Sequence, residues 1–145
     1  MILSEHQRRW TEIKFYYFCF EIYSINKDMI EIILLIEAIA HIGKLDYKLL
    51  KNITGKMLGD PYYLPVQDEV ISLANAYGMN NSQIHREFGF NRKTISKIIS
   101  SPDRNTIRKS TPLLTINEDQ ELYKFCKILD QIKKAGIYEK EKTKN

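Results

Sequence analysis

The amino-acid sequence predicts an all-α protein, and three observations carry that prediction. Apolar residues recur at three- and four-residue spacings along most of the chain. Helix punctuation brackets these stretches, with Ser, Asn or Asp before them and glycine after. The run with the highest strand propensity, Phe15 to Tyr23, crowds aromatics together yet continues a helical pattern without a turn signal. With 43% apolar and 28% charged residues over 145 positions, the composition is that of an ordinary globular chain. The length suits one compact domain, or a small module plus an assembly element.

Taken in order, Ser4 is placed to cap a first helix from Glu5, with Trp10, Ile13, Tyr17 and Phe20 or Ile22 roughly along one side. Ser24 to Asn26 reads as a break, with Asn26 capping a second helix. That helix, Met29 to Ile42, is apolar nearly all round and interrupted only by Glu31, Glu37 and His41. So apolar a helix is expected to be buried on most sides, as the core of an N-terminal bundle or part of a subunit interface. Its two glutamates and its length argue against a membrane span. Glu21 breaks the preceding apolar run, which also lacks the small-residue cleavage site of a signal peptide. Gly43 ends the second helix, Asp46 caps a third over Tyr47 to Ile53, and Gly55 stops it. Residues 1–60 are thus expected to form a helical oligomerisation region. Residues 56–65, with Gly59, Pro61 and Pro65, read as a connector. Val66, Val70, Leu73, Ala74 and Tyr77 then make a helical stripe closed by Gly78.

Residues 78–100 are the most informative stretch. Asn80 and Gln83 have capping-box spacing, and Ile84 and Phe88 share one helical face. Gly89 supplies a tight turn, Phe90 an apolar plug, and Asn91 a cap for the next helix. In that helix Ile95 and Ile98 or Ile99 point inward, leaving Arg92, Lys93, Ser96 and Lys97 on the outer face. Two short helices joined by a glycine turn, the second polar and basic outside, suit a DNA major groove. Charge points the same way. Residues 79–110 carry net +5, against −2 for residues 1–78 and +1 for residues 111–145, so this region holds more than the chain's whole excess of +4. A focused basic patch is what a polyphosphate partner requires.

The segment Gly78, Met79, Asn80, Ile84, His85, Gly89, Phe90, Asn91, Arg92, Thr94, Ile95 resembles the helix-turn-helix of the resolvase, transposase and sigma-region-four kind. With the preceding helix, the resemblance covers residues 66–100. It implies a three-helix DNA-binding unit at 61–101, with a recognition helix at about 91–100. His85 stands where the family usually has alanine, at the closest helix–helix approach, which implies a looser or tilted crossing.

Beyond the motif, residues 102–114 read as a polar, basic linker bracketed by Pro102 and Pro112. Arg104, Arg108 and Lys109 either form an arm along phosphates or into the minor groove, or are simply solvated. Asn117 with Gln120 is a second capping-box spacing, opening a C-terminal helix (115–138) with Leu122, Phe125, Leu129 and Ile132 on one side. Two heptads are too few for a free coiled coil, so this helix docks on the body or on a second subunit. Residues 139–145 read as a disordered tail. Cys19 and Cys126 lack any CxxC partner, and His6, His41 and His85 fit no metal spacing. No metal, no cofactor and a cytoplasmic setting with reduced thiols are therefore expected. No catalytic motif is present, and no enzyme activity is expected.

These features lead to the expectation of a sequence-specific double-stranded DNA-binding protein, a transcriptional regulator acting as a homodimer. Arg92, Lys93 and Ser96 are the candidate base contacts. Asn80, Asn91, Thr94, Lys97, Arg104, Arg108 and Lys109 are the candidate backbone contacts. Two other readings are a DNA-recognition subunit of a phage or mobile element in a larger oligomer, and a protein-interaction module in which Arg92 and Lys93 are paired or covered.

Overall fold

The computed structural model describes residues 2–59, 64–101 and 114–136. Among these residues the chain forms seven helices and no strand: α1 (Glu5–Asn26), α2 (Met29–Gly43), α3 (Tyr47–Leu58), α4 (Gln67–Ala76), α5 (Asn81–Phe88), α6 (Arg92–Ile99) and α7 (Ile116–Lys134).

The organising element is α1, and its aromatic run explains why. On one side Phe15 and Phe18 meet Phe125 of α7 edge-on, with ring centroids 5.7 and 5.6 Å away. On the other side Tyr17 lies 4.8 Å from Phe88 and Phe20 lies 5.9 Å from Phe90. Trp10 stacks on Phe88 at 6.2 Å. A helix packed on two sides needs apolar residues on two sides, and edge-to-face geometry adds to their area burial. The expectation of one apolar side along Trp10, Ile13, Tyr17 and Phe20 accounts for only half of the packing surface.

Helix α7 docks on this body, with Leu122, Phe125 and Leu129 buried. Ion pairs tie it down: Arg8 to Asp119 (2.7 Å), Lys14 to Asp130 (2.9 Å), Lys56 to Glu118 (2.8 Å) and Lys133 to Glu21 (3.2 Å). Helix α2 packs on α1, α3 and α7, while α4 packs on α1, α5 and α6. One contiguous buried core runs from Ile13 through α4 and α6 to Leu129.

Several local expectations change. Helix α1 runs through Ser24 to Asn26, whose side-chain amide donates to the Ile22 carbonyl (3.1 Å). The cap of α2 is instead Asp28, whose Oδ1 accepts from the Ile30 amide (2.9 Å); a carboxylate there also meets the positive end of the helix dipole. Helix α3 continues through Gly55 to Leu58, because burying Met57 and Leu58 outweighs the roughly 1 kcal/mol cost of an interior glycine. Helix α7 is capped by Thr115, not Asn117: its Oγ1 accepts from the Glu118 amide (3.2 Å), and Glu118 accepts from the Thr115 amide (2.8 Å). Gly43 also has a different reason to be there. The left-handed turn residue is Lys44 (φ 54°), and Gly43 is small because a Cβ on it would fall 2.1 Å from Ile128 Cδ1. The glycine lets α2 and α7 approach.

The largest departure is α2. Only Ile32, Ile36, Ile39 and Ala40 are buried, whereas Ile30, Leu34 and Ile42 are exposed. The bundle covers one side of an all-round apolar helix and leaves the other bare.

A buried polar cluster joins α1, α4 and α7. Glu12 is 1% and Asp119 0% exposed. Asp119 pairs with Arg8, which also donates to the Leu114 carbonyl (2.9 Å). The Tyr77 hydroxyl, at the C-terminal end of α4, donates to Glu12 Oε1 (2.6 Å). The remaining oxygens, Glu12 Oε2 and Asp119 Oδ1, are buried with no other group donating to them, and the two carboxyls interact with each other. Two carboxyl oxygens facing each other form a hydrogen bond only with a proton between them. Desolvation, helped by Asp119, pushes the Glu12 carboxyl up to about 8, while the Tyr77 hydroxyl and then Arg8 oppose the rise. Asp119 is also raised by burial, but Glu12 and Arg8 pull it back. Asp119 holds the Arg8 ion pair, so Glu12 is the carboxyl of the pair that burial favours in its protonated form.

Candidate nucleic-acid interface

The site is built from α5, the Gly89 turn and α6, with α4 behind them. Asn80 and Gln83 form the reciprocal cap of α5: the Gln83 amide donates to Asn80 Oδ1 (2.9 Å) and the Asn80 amide to Gln83 Oε1 (2.8 Å). Gly89 adopts φ 76°, the left-handed region that a side chain disfavours, and its amide bonds the His85 carbonyl (2.8 Å). Asn91 then caps α6, accepting from the Lys93 amide (2.8 Å). Ile84, Phe90, Ile95 and Ile98 are buried beneath the pair. Phe90 is held by the aromatics of α1, so the turn is fixed to the body and not only to its own helices.

His85 does something its sequence position does not announce. Its Nδ1 lies 2.7 Å from the Phe90 carbonyl. A carbonyl accepts, so Nδ1 carries the proton and donates across the turn. It supplies a hydrogen bond between the end of α5 and the start of the next segment.

On the outer face Asn91, Arg92, Lys93, Ser96 and Lys97 are exposed, and Thr94 is half-buried. No described carboxylate lies within ion-pair distance of Arg92, Lys93 or Lys97. Ser96 is not solitary: its Oγ accepts from the Asn81 side-chain amide (3.0 Å), leaving its own hydroxyl hydrogen to donate outward. Asn81 was not among the sequence candidates, since a contact spanning fifteen residues across a turn has no local signal. Asn80 and Asn91 spend their side-chain oxygens on caps, so only their amide groups remain to reach a phosphate. Arg104, Arg108 and Lys109, and the linker that holds them, lie outside the described residues.

Eight residues of α-helix span about 12 Å, with a side-chain diameter of about 10–12 Å, and a B-form major groove is about 12 Å wide. The exposed face of α6 therefore has the dimensions and the sign of charge to enter one.

No protein-family model, curated protein or solved structure matches the chain.

Other chemistry is sparse. Among the described residues no three His, Cys, Asp or Glu side chains are grouped to hold a metal ion. Cys19 and Cys126 are buried free thiols, both pushed up by desolvation, Cys126 to about 12. Among the described residues no helix is long and apolar enough to cross a membrane.

Proposed function

We propose that the protein binds double-stranded DNA sequence-specifically, as a dimeric transcriptional regulator that inserts α6 into the major groove. The observation that carries this reading is the outer face of α6: Arg92, Lys93, Ser96 and Lys97 stand exposed, on a capped helix fixed by a buried core. A protein-interaction module of the same fold favours having its cations covered or paired, and Arg92 and Lys93 have no described carboxylate partner. Arg92, Lys93 and Ser96 read base edges, because Arg and Lys match guanine acceptors and a serine hydroxyl suits either donor or acceptor. Lys97, Thr94 and the amide groups of Asn80 and Asn91 hold phosphates, together with Arg104, Arg108 and Lys109 of the linker. One such module buries little surface, which is why a dimer reading two half-sites is part of the proposal.

The test is fluorescence anisotropy of the full chain on a labelled random-sequence duplex at several salt concentrations. Four backbone-binding cations, Lys97 and the three in the linker, predict a slope of log K on log salt on the order of −3 to −4 per protomer. Absence of binding at low salt refutes the reading.

A further inference from the structure

We propose that the bare side of α2 is a self-association surface, on which a second copy of the chain packs its own α2 in antiparallel orientation. The choice of a second copy as occupant rests in one part on the DNA reading, which calls for a dimer; the surface itself does not. Ile30, Leu34, Ala38 and Ile42 recur every four residues and so form one stripe. Ile30 is 59%, Leu34 53% and Ile42 67% exposed. Those three alone expose on the order of 300 Å2 of apolar surface, the scale of the largest patch on a typical monomer. The rest of the roughly 800 Å2 per partner that a stable interface takes lies on its flanks. On one side a cavity of about 190 Å3 between α1, α2 and α7 is lined only by apolar residues, among them Leu35, Ile42, Leu129 and Ile132. On the other, Ile33, Tyr47 and Lys51 line a second cavity of about 230 Å3 between α2 and α3. Ridges beside apolar recesses are what an opposing helix interdigitates with.

Charge selects the orientation. Around the N-terminal end of α2 the acidic cap Asp28 and Glu31 outweigh Lys27, and around its C-terminal end stand His41 and the cap Lys44. Antiparallel packing sets acidic half against basic half and opposes the two helix dipoles favourably; parallel packing sets Glu31 against its own copy. Glu37 sits at the edge of the stripe, where it reaches solvent. The stretches of this chain beyond α6 and α7 make poor alternatives as covers. Residues 102–113 and 137–145 are dominated by polar and charged side chains, with Ile107, Leu113, Ile137 and Tyr138 as their large apolar members. Finally, α2 packs on α1, α3 and α7, whereas α6 packs on α4 and α5, so pairing through α2 leaves both recognition faces open.

Sedimentation velocity of the full chain at micromolar concentration, without DNA, tests this. The expected result is a dimer, converted to monomer by Leu34→Glu and by Ile42→Lys, with each variant's helical circular dichroism unchanged. Two variants guard against one misfolding. A monomeric wild type, or a dimer that survives both substitutions, overturns the proposal. Orientation is read by cysteine cross-linking with a short bismaleimide, since Cys19 and Cys126 are buried. Mixed Ile30→Cys and Ile42→Cys chains are expected to cross-link, and Ile30→Cys alone is not; the reverse result overturns the antiparallel arrangement. The anisotropy assay separates the two readings. A dimer that ignores duplex DNA refutes the DNA reading and leaves the interface standing. A monomeric Leu34→Glu that binds DNA at least tenfold more weakly supports both.

Discussion

Replacing Glu12 by Gln should make the protein's stability less dependent on pH, and the structure gives the sign. The groups around Glu12 are Arg8 of the same helix, the Tyr77 hydroxyl at the end of α4, and Asp119 with its neighbour Glu118 on α7; Arg9 lies over the Tyr77 ring at 5.6 Å and Lys56 pairs with Glu118. The Glu12 carboxyl is raised from 4.5 to about 8 by burial. The folded state therefore holds a proton that the unfolded state releases at much lower pH. A group raised in this way contributes stability that is fully present below its unfolded value and is lost as pH climbs to its folded value. Stability should thus fall by up to about 1.4 kcal/mol per pH unit across that window, a few kcal/mol in all, and level off above it. Glutamine keeps the shape, accepts from Tyr77 through its carbonyl and donates to Asp119 Oδ1 through its amide, so it reproduces the protonated acid at every pH. Urea unfolding followed by circular dichroism should find the variant close to wild type near pH 4 and more stable than wild type by a few kcal/mol near pH 9. If both proteins show the same slope, no proton is shared and the assignment of charge within the pair is wrong.

The other predictions concern the DNA-binding unit and the packing beneath it. Arg92→Ala and Lys93→Ala should each relax preference at one base position and cost about 1–3 kcal/mol on the selected site, whereas Lys97→Ala should weaken all sequences alike and flatten the salt slope by about one. Binding-site selection on the three variants separates these roles, and an unchanged profile for the first two removes them from the reading face. Phe90→Ala should lower stability by about 3 kcal/mol in thermal or urea melts and cost more than Phe88→Ala, because Phe90 is buried and Phe88 only half-buried. Gly43→Ala should destabilise by about 1–3 kcal/mol through the clash with Ile128 Cδ1, and Ile128→Val, which removes that atom, should recover part of the loss in a double-mutant cycle.

What the sequence announces is whatever is local. The caps Ser4, Asp46, Asn80 and Asn91, the turn at Gly89 and the inward Ile84 and Ile95 are all legible, because a cap and a helical face are settled within a few residues. Where two residues able to cap sit close together, the sequence does not tell which one caps. Asn26 yields to Asp28 and Asn117 to Thr115, since the choice depends on where the preceding helix ends and which side chain reaches back. Non-local partnerships are silent. Nothing near Glu12 predicts Asp119, and nothing near Asn81 predicts Ser96, because chain separation hides the pairing until the fold brings them together. The apolar excess of α2 is legible too, but not its meaning: composition cannot tell a helix surrounded by its own bundle from one left bare on a face.

The arrangement around α1 has a consequence for DNA recognition. The aromatic side of α1 grips the α5–α6 turn through Phe88 and Phe90, while α2 packs on the same helix and is locked to α7 through the close approach at Gly43. If the second copy pairs through α2, the separation of the two α6 helices is set by packed helices and not by a tether. A rigid spacer transmits position faithfully because close-packed interiors deform little. The dimer should then discriminate half-site spacing as well as half-site sequence, with affinity dropping when the two half-sites are moved by half a helical turn, about five base pairs, and returning in part at a full turn. A dimer joined by a flexible linker would tolerate both spacings, so a spacing series on the selected site distinguishes a rigid α1–α2 frame from a loose one.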